Sequence, residues 1–286
     1  MESELWPRVY QVAMDAGKGQ RSKRVQYPDV VIVLTYLWAV LHDRPVSWAC
    51  RPQNWPMAAW RLTPRPSPAT MSRRLRRTPV KALLRVMERR LRARFGRSWC
   101  KWSDAKPLPV GASSKDPHAH AGYGGQGMAK GYKLYAICDA RGALDAWEVL
   151  PTNNAEIRVA RHLVRHAEAE AYLVGDAQYD SSPLYDAAAR RGFRLVAPRQ
   201  KEGGLGHRYQ SPHRLRAIEL LARPFGQTLM HQRYDIDRFF GTLTSFGGGL
   251  APLPNWVRTL PRVRLWVQGK IILNRIRTLI HDANAA

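Results

Sequence analysis

Cysteine is scarce in this sequence, with 3 residues among 286. They stand far apart, at Cys50, Cys100 and Cys138, and no two of them form a CxxC pair. An odd, scattered set argues against a disulfide scaffold and a zinc site, and it fits a reducing compartment. Acidic residues are also few: 22 Asp and Glu stand against 46 Lys and Arg, giving a formal net charge of +24. So large a cationic excess favours a polyanionic partner, of which nucleic acid is the first candidate.

The sequence also lacks an apolar run long enough to cross a membrane. The longest, Val30–Leu41, is shorter than the roughly 20 residues that a membrane-spanning helix needs, and we interpret it as a buried helix that Asp29 caps. No signal peptide is recognisable, so we expect a cytoplasmic protein. Hydrophobic residues make up 45% of the chain, with 10 tryptophans among them, which is enough for a substantial core.

Residues 1–98 predict a separate helical region. Ser67-Pro68 opens a short helix over residues 69–77, and Thr78-Pro79 opens another that reaches about Phe95. The shorter helix is strongly basic and has small polar residues in its first turn. This composition suits a recognition helix, in which Ser and Thr approach base edges and Arg holds phosphates, but a solvated basic helix explains the pattern equally well.

Basic residues dominate the end of this region. Between Arg73 and Arg97 the sequence holds eleven lysines and arginines and one acid, Glu88. Binding through such a stretch should weaken steeply as salt rises, because each phosphate contact releases counterions. The DNA-binding residues predicted here are Arg73, Arg74, Arg76 and Arg77.

Alternating and apolar segments predict a sheet in the second part of the chain. Weak alternation predicts a strand over Cys100–Val110, although Pro107 and Pro109 should end any central ladder there. The Gly-, Ser- and His-rich stretch 111–130 is predicted as a loop. Residues 131–150 then predict a hairpin, whose strands are joined at residues 140–142.

A strand, a helix and a second strand follow at residues 171–200. Asp176 stands where the first of these strands ends, and Ser182 is a suitable cap for the helix. A helix that Asn154 could cap precedes this unit, from Ala155 to about residue 169. The carboxyl ends of parallel strands meet at one edge, where α/β sheets keep their sites. A lone Asp at such an edge is nonetheless more often a solvated loop residue.

The remaining segments are predicted as helices. They run from Ser211-Pro212 through Leu221, from Thr228 to about Phe240, and over Arg262–Ile280. The order is therefore three meandering strands, then alternating helix and strand, then helices, which is the order of an RNase H-like core. We predict an α/β fold in which an RNase H-like mixed sheet flanked by helices occupies residues 99–286.

Three acids fall where such a core would gather them. Asp104 lies on the first predicted strand, Asp176 ends the fourth, and Asp237 lies on a helix after the last strand. In-line attack on a phosphodiester uses two divalent cations roughly 4 Å apart, one at the nucleophile and one at the leaving oxygen. Mg²⁺ prefers oxygen ligands and keeps several waters, so two or three carboxylates suffice to bind it.

Several motifs carry a resemblance to a known family. They are SDAKPLPV around Asp104, KGYKLYAICD at 130–139, VGDAQYDSSPLYDAA at 174–188, RYDIDRFFG at 233–241 and GGLAPLPNWVRTLPRVRLWV at 248–267. In this order they resemble the DDE transposases of bacterial insertion sequences. The resemblance implies that Asp104, Asp176 and Asp237 are catalytic metal ligands. It also implies two Mg²⁺ ions, with Mn²⁺ able to substitute. Transposon-end and target DNA would be the partners of a homodimer or larger complex at the nucleoid.

The third motif departs from the family pattern. Asp237 stands where the family usually has Glu, while Met230 and Thr244 occupy the usual Tyr and Lys positions. Arg233, four residues before Asp237, faces the same way on a helix and is predicted to act at the active site. Arg238 and Arg208 are predicted DNA contacts.

Two neighbouring acids are predicted to stay outside the triad. Asp235 lies roughly 200° around the helix from Asp237, and Asp180 should brace a turn. An all-Asp triad remains chemically sound. Three functions stay open at this point: an active transposase, a decayed transposase that binds DNA without cutting it, and another RNase H-like nuclease.

Overall fold

The computed structural model describes residues 2–19, 25–56, 65–124, 127–139, 144–168, 171–201, 203–205, 209–232, 234–245, 250 and 253–285. By its internal contacts the chain forms two compact units. The helical unit comprises Met1–Arg94, Leu243–Leu250 and Leu265–Ala286, and the sheet unit comprises Phe95–Thr242 and Ala251–Arg264. These units are groups of contacts, so the functional domains 1–98 and 99–286 remain a proposal.

The helical unit consists of short helices and most of the last helix of the chain. Its elements are α1 (Glu2–Gly17), α2 (Asp29–Leu41), α3 (Val46–Ala49), a 3₁₀ turn (Pro52–Asn54), α4 (Pro68–Arg74), α5 (Thr78–Arg92) and α11 (Leu260–Ala285), which begins in the sheet unit. The predicted helices beginning near residues 30, 68 and 78 are confirmed, and α11 is longer than the predicted Arg262–Ile280.

Tryptophans form the centre of this unit. Trp6, Trp38 and Trp55 are buried, and the Trp38 ring stacks on Trp55 with centroids 4.8 Å apart. The indole N–H groups of Trp38 and Trp55 donate to the carbonyls of Asn54 and Ala49. Large rings with satisfied polar atoms let a small helical unit bury much apolar area.

Helix caps in this unit only partly match the predictions. Ser67 caps α4, since its hydroxyl accepts a hydrogen bond from the Thr70 N–H at 3.2 Å. Asp29 does not cap α2: the helix begins after Pro28, and no side chain caps it. The Asp29 carboxylate instead accepts from the Arg74 guanidinium at 2.6 Å.

Within the described residues, a mixed sheet of six strands organises the other unit. The strands are β1 (Cys100–Pro109), β2 (His120–Tyr123), β3 (Met128–Asp139), β4 (Leu144–Pro151), β5 (Tyr172–Val174) and β6 (Arg194–Val196). β3 pairs antiparallel with β1, β2 and β4, while β1, β5 and β6 pair in parallel. The predicted hairpin, the parallel strands and the RNase H-like class are confirmed.

One prediction about the first half of the sheet is confirmed and another is wrong. β1 continues through Pro107 and Pro109, which pair with Lys133 and Gly131 of β3. The next residue, Val110, donates its N–H to β3, so both prolines point their missing N–H away from that ladder. β5 pairs with Cys100–Trp102 and not with the prolines, so the ladder on that side ends before them, as predicted. The predicted loop 111–130 is wrong in part, because it contains β2 and the first residues of β3.

Helices α6 (Glu156–His166) and α7 (Ser182–Ala189) pack on the sheet. Their apolar residues join those of the strands in one buried core, to which Tyr135, Leu163, Leu173 and Leu184 belong. Neither predicted cap is present. Asn154 lies before the N-cap residue Ala155 and donates to the Pro151 carbonyl, and Ser182 is already helical and accepts the Ser211 N–H.

Three further helices follow the sheet. They are α8 (Pro212–Leu221), α9 (Pro224–His231) and α10 (Tyr234–Ser245). Ser211 caps α8 as predicted, by accepting the His213 N–H. The predicted single helix from Thr228 to Phe240 is wrong, since α9 ends and α10 begins within it; sequence periodicity did not show this break. No helix within the described part of the chain has the length and apolarity that crossing a membrane demands.

Candidate active site

Strand pairing brings two of the predicted catalytic acids to one edge of the sheet. β1 and β5 run in parallel, and their last paired residues are Trp102 and Val174. Asp104 and Asp176 each stand two residues beyond that pair. Asp104 and Asp176 are therefore equally far along neighbouring parallel strands, which lie about 4.8 Å apart where they pair, and they stand at the same level, Asp104 within β1 and Asp176 just after β5.

Local backbone contacts hold each of these acids. The Asp176 carboxylate caps the 3₁₀ turn Ala177–Tyr179 by accepting the Gln178 N–H at 2.8 Å. One carboxylate oxygen of Asp104 accepts the Ala105 N–H at 2.7 Å. Both side chains are half-buried. An acid that caps its own turn has a restricted rotamer, which is the preorganisation that a metal ligand needs.

Tyr179 ends the 3₁₀ turn that Asp176 caps. Its ring is 2% exposed and packs against Gly175, where any Cβ would stand 2.7 Å from the ring. The pKa of the Tyr179 phenol is well above its ordinary value, first because the ring is buried and then because the negative charge of Asp104 acts on it, with smaller contributions from Glu156 and Asp176. A hydrogen bond with the Ser103 side chain acts in the opposite direction. Sequence reasoning did not identify Tyr179, although the Gly175–Tyr179 spacing was visible.

Asp180 has a structural role, in agreement with its prediction as a brace. Its two carboxylate oxygens accept from the Arg214 guanidinium, each at 2.6 Å, and one also accepts the Gln200 N–H. Burial by itself raises the pKa of Asp180, but these donors outweigh it and hold the pKa below its ordinary value. Arg214 on α8 is thereby tied to the loop that presents Asp176.

The third predicted acid lies on α10. Asp237 and Arg238 are exposed, while Phe239, Phe240 and Leu243 of the same helix are buried. Among the described residues, no three His, Cys, Asp or Glu side chains form a group that could hold a metal ion. Asp237 is thus not gathered with Asp104 and Asp176, and its role stays a prediction. Arg233 and the side chain of Asp235 lie outside the described residues.

The predicted DNA-binding arginines differ in exposure. Arg73, Arg76 and Arg77 are exposed, and Arg76 also donates to the Ser72 carbonyl at 2.9 Å. Arg74 has a side chain that is 12% exposed and bound to Asp29. Arg74 therefore serves the helical unit, and the other three are the candidates for phosphate contacts. Arg208 lies outside the described residues.

Asp116 organises the region between β1 and β2, which sequence reasoning treated as a loop without a role. Its buried carboxylate accepts from the Tyr132 hydroxyl at 2.7 Å, the His118 N–H at 3.0 Å and the Thr259 N–H at 2.8 Å. Burial raises the pKa of Asp116, and these three donors lower it to a net position below the ordinary value. Asp116 is the one acidic residue of residues 111–130, and this was the feature of the sequence that could have indicated its role.

Comparison with known proteins gives one family. The family model described as "Transposase DDE domain" matches residues 98–259, a segment that contains β1 to α10 and both acids of the sheet edge. No significant match was found among curated proteins or among solved structures.

Proposed function

The chain belongs to the family of proteins with a transposase DDE domain, and from this membership we propose its specific activity. The protein binds the ends of an insertion sequence, cleaves the DNA there, and joins the resulting 3′-hydroxyl ends to target DNA. The observation that carries this proposal is the register of β1 and β5, which sets Asp104 and Asp176 at the same level of one sheet edge. The family in general consists of enzymes that act on DNA with divalent metal ions.

The residues of this edge suit Mg²⁺. Asp104 and Asp176 offer carboxylate oxygens, which are hard donors, and each is held by a backbone N–H. Two bound ions would activate the attacking oxygen and stabilise the leaving oxygen of a phosphodiester; Mn²⁺ has the same ligand preference. Asp237 is proposed as the third ligand. Since Asp reaches about one methylene less far than Glu, it requires α10 to lie near the edge of the sheet.

Other residues position the DNA in this proposal. Arg233 stands one turn before Asp237 and orients that carboxylate or clamps a phosphate. Arg238 and Arg208 contact the backbone of the bound DNA. Exposed Arg73, Arg76 and Arg77 add sequence-independent phosphate contacts. An insertion sequence has two ends, and the described part of this chain has one pair of acids at its sheet edge. One chain would therefore act on one end at a time, and the proposed active form is a homodimer or larger complex at the nucleoid.

The experiment is Mg²⁺-dependent cleavage of a DNA fragment that carries the element's terminal inverted repeats. Wild-type protein should nick at the repeat ends, and Asp176→Asn should bind the fragment in EDTA without nicking it in Mg²⁺. Binding without nicking by the wild type would support the second candidate function, a protein that binds DNA without catalysis. The exposure of Asp237 favours this candidate. A preference for RNA–DNA hybrids over the repeats would indicate another nuclease of this fold.

A further inference from the structure

The amino end of the parallel strands, opposite the acids, carries an exposed group of aromatic rings. Trp99 precedes β1, Tyr172 begins β5, and Phe225 lies in the first turn of α9. The Tyr172 ring meets Trp99 edge-on at 6.3 Å and Phe225 edge-on at 5.6 Å. Trp99 is 56% exposed and Phe225 is 45% exposed. We call Trp99, Tyr172 and Phe225, together with Arg194, the aromatic platform.

Arg194 gives the platform a positive charge. Its guanidinium lies 5.5 Å from the centre of the Tyr172 ring, and it donates to the Tyr172 hydroxyl at 3.2 Å. The backbone is fixed as well, because the Tyr172 N–H donates to the Trp99 carbonyl at 2.8 Å and the Arg194 N–H donates to the Ala171 carbonyl at 3.0 Å. Tyr172 and Arg194 are therefore the first residues of β5 and β6, and the Trp99 backbone is hydrogen-bonded to β5.

An open pocket of about 490 Å³ adjoins the platform. Tyr172 and Arg194 line it from the sheet, and His213 and Arg216 line it from α8. The rest of its described lining is apolar and includes no carboxylate: Ala189, Gly192, Phe193, Leu195, Val196, Ala217 and Leu220. A cavity of this size is in the range of small-molecule sites, and two of its lining side chains, Arg194 and Arg216, are cationic.

We propose that the aromatic platform binds unpaired nucleotides of the DNA on which this protein acts. Bases would stack on the exposed faces of Trp99 and Phe225, with Arg194 and Arg216 receiving the adjoining phosphates. Exposed rings set among arginines are the pattern by which proteins hold single strands without reading their sequence. The proposal rests on the proposed function in one respect, because it takes DNA as the substrate.

Charge decides between DNA and a protein as the occupant. Exposed aromatics with arginine also occur at the centres of protein interfaces. Here, however, Arg194 and Arg216 line the pocket, no carboxylate is part of its described lining, and the chain has a net charge of +24. Two copies of so basic a surface would repel each other, whereas the platform would attract a phosphate backbone. Asp176 stands four residues after Tyr172, a distance of about 13 Å along an extended chain, so the platform is a contact separate from the acids.

The test compares two oligonucleotides that have equal charge. One is labelled dT of about 12 nucleotides, within the site sizes known for single-strand binding proteins; the other has the same backbone with abasic sites. Affinities are measured in EDTA by fluorescence anisotropy on the full chain. Wild-type protein should bind the dT strand more tightly than the abasic strand. Trp99→Ala and Phe225→Ala should each lower dT affinity about fivefold or more and leave abasic affinity nearly unchanged.

Matched variants keep this test decisive. Trp256→Ala removes another tryptophan of similar exposure, 41%, and should leave the ratio of dT to abasic affinity at the wild-type value. Trp99→Phe should restore most of the ratio, because a smaller ring still stacks. Melting temperatures of all variants should agree with the wild type, since the replaced rings are exposed.

Two results would overturn the proposal. One is an unchanged ratio of dT to abasic affinity in both Trp99→Ala and Phe225→Ala. The other is loss of self-association on sedimentation with unchanged DNA binding, which would assign the platform to a contact between copies of the chain. Neither result bears on cleavage at the acids, because Asp176→Asn tests that in Mg²⁺ and the strand-binding ratio is measured without metal.

Discussion

The helical unit and the sheet unit each contain two nearby residues of the same charge, of which one is held in an ion pair and the other is more accessible. The compared residues are arginines in the helical unit and aspartates in the sheet unit. In the helical unit, Arg74 is 12% exposed and bound to Asp29, whereas nearby Arg73 is exposed. In the sheet unit, the side chain of Asp180 is 2% exposed and bound to Arg214, whereas Asp176, four residues earlier, is half-buried and caps a turn. Neighbours of identical chemistry thus have different tasks.

The comparison teaches that a charged residue must be judged by what already binds it. A carboxylate held by a guanidinium at 2.6 Å on both oxygens is part of the fold, and removing its partner leaves a buried charge. An exposed arginine contributes little to the stability of the fold, so replacing it changes the free energy of unfolding little.

The largest effect is expected at Asp104 and Asp176, just beyond the last paired residues of β1 and β5. Asp104→Asn and Asp176→Asn should each lower Mg²⁺-dependent cleavage on the order of 10³-fold, because the amide keeps the size but loses the charge that holds a cation. Gel analysis of nicked fragments measures this, and DNA binding in EDTA should persist. Asp282→Asn, an exposed acid of α11, serves as the control and should cleave normally. Normal cleavage by Asp176→Asn would remove this edge from catalysis.

Asp237 is exposed like an ordinary surface acid, so its proposed role as the third metal ligand needs a test of its own. If it is the third ligand, Asp237→Asn should reduce cleavage about a hundredfold while DNA binding in EDTA is retained. Asp237→Glu tests reach: a site shaped for Asp should lose part of its activity, and a site shaped for Glu should keep or gain activity. Asp235→Asn is the matched control on the same helix. Wild-type cleavage by Asp237→Asn would contradict the assignment and direct attention to Glu219 on α8.

The pair Asp180–Arg214 should respond in stability. Arg214→Ala is expected to lower the free energy of unfolding by about 2 kcal/mol, a discounted value because the arginine is partly exposed. Chemical denaturation measures the change, and Arg216→Ala, an exposed arginine on the same helix, should leave stability unchanged.

Acid should remove this difference in stability. The pKa of Asp180 lies below its ordinary value of 3.8 in the folded protein, so the pair contributes fully above that value. Its contribution is lost as the pH falls through the folded pKa. Wild type and Arg214→Ala should therefore converge in stability as the pH falls below 3.8 and through the folded pKa of Asp180. A gap that stays constant on acidification would show that the arginine stabilises the protein by packing and not by its charge pair.

The sequence predicted the fold better than the details of the site. Strand order followed from alternation and from the turn residues, because both depend on neighbours along the chain. The break between α9 and α10 and the strand β2 did not follow, and β2 depends on its pairing with β3. Likewise Asp104 and Asp176 were identified by sequence position, whereas Tyr179 and the Asp29–Arg74 pair needed contacts between distant residues.

The smallest expected effect concerns the arginines of the helical unit. Arg73→Ala, Arg76→Ala and Arg77→Ala should each flatten the dependence of log affinity on log salt by about one unit, because each phosphate contact releases counterions. Arg74→Ala should leave that slope unchanged and lower Tm slightly, since this guanidinium is bound to Asp29. Titrations of one duplex at several salt concentrations measure the slopes. A flattened slope for Arg74→Ala with an unchanged Tm would contradict this assignment, because Arg74 would then contact phosphate and its pair with Asp29 would not stabilise the fold.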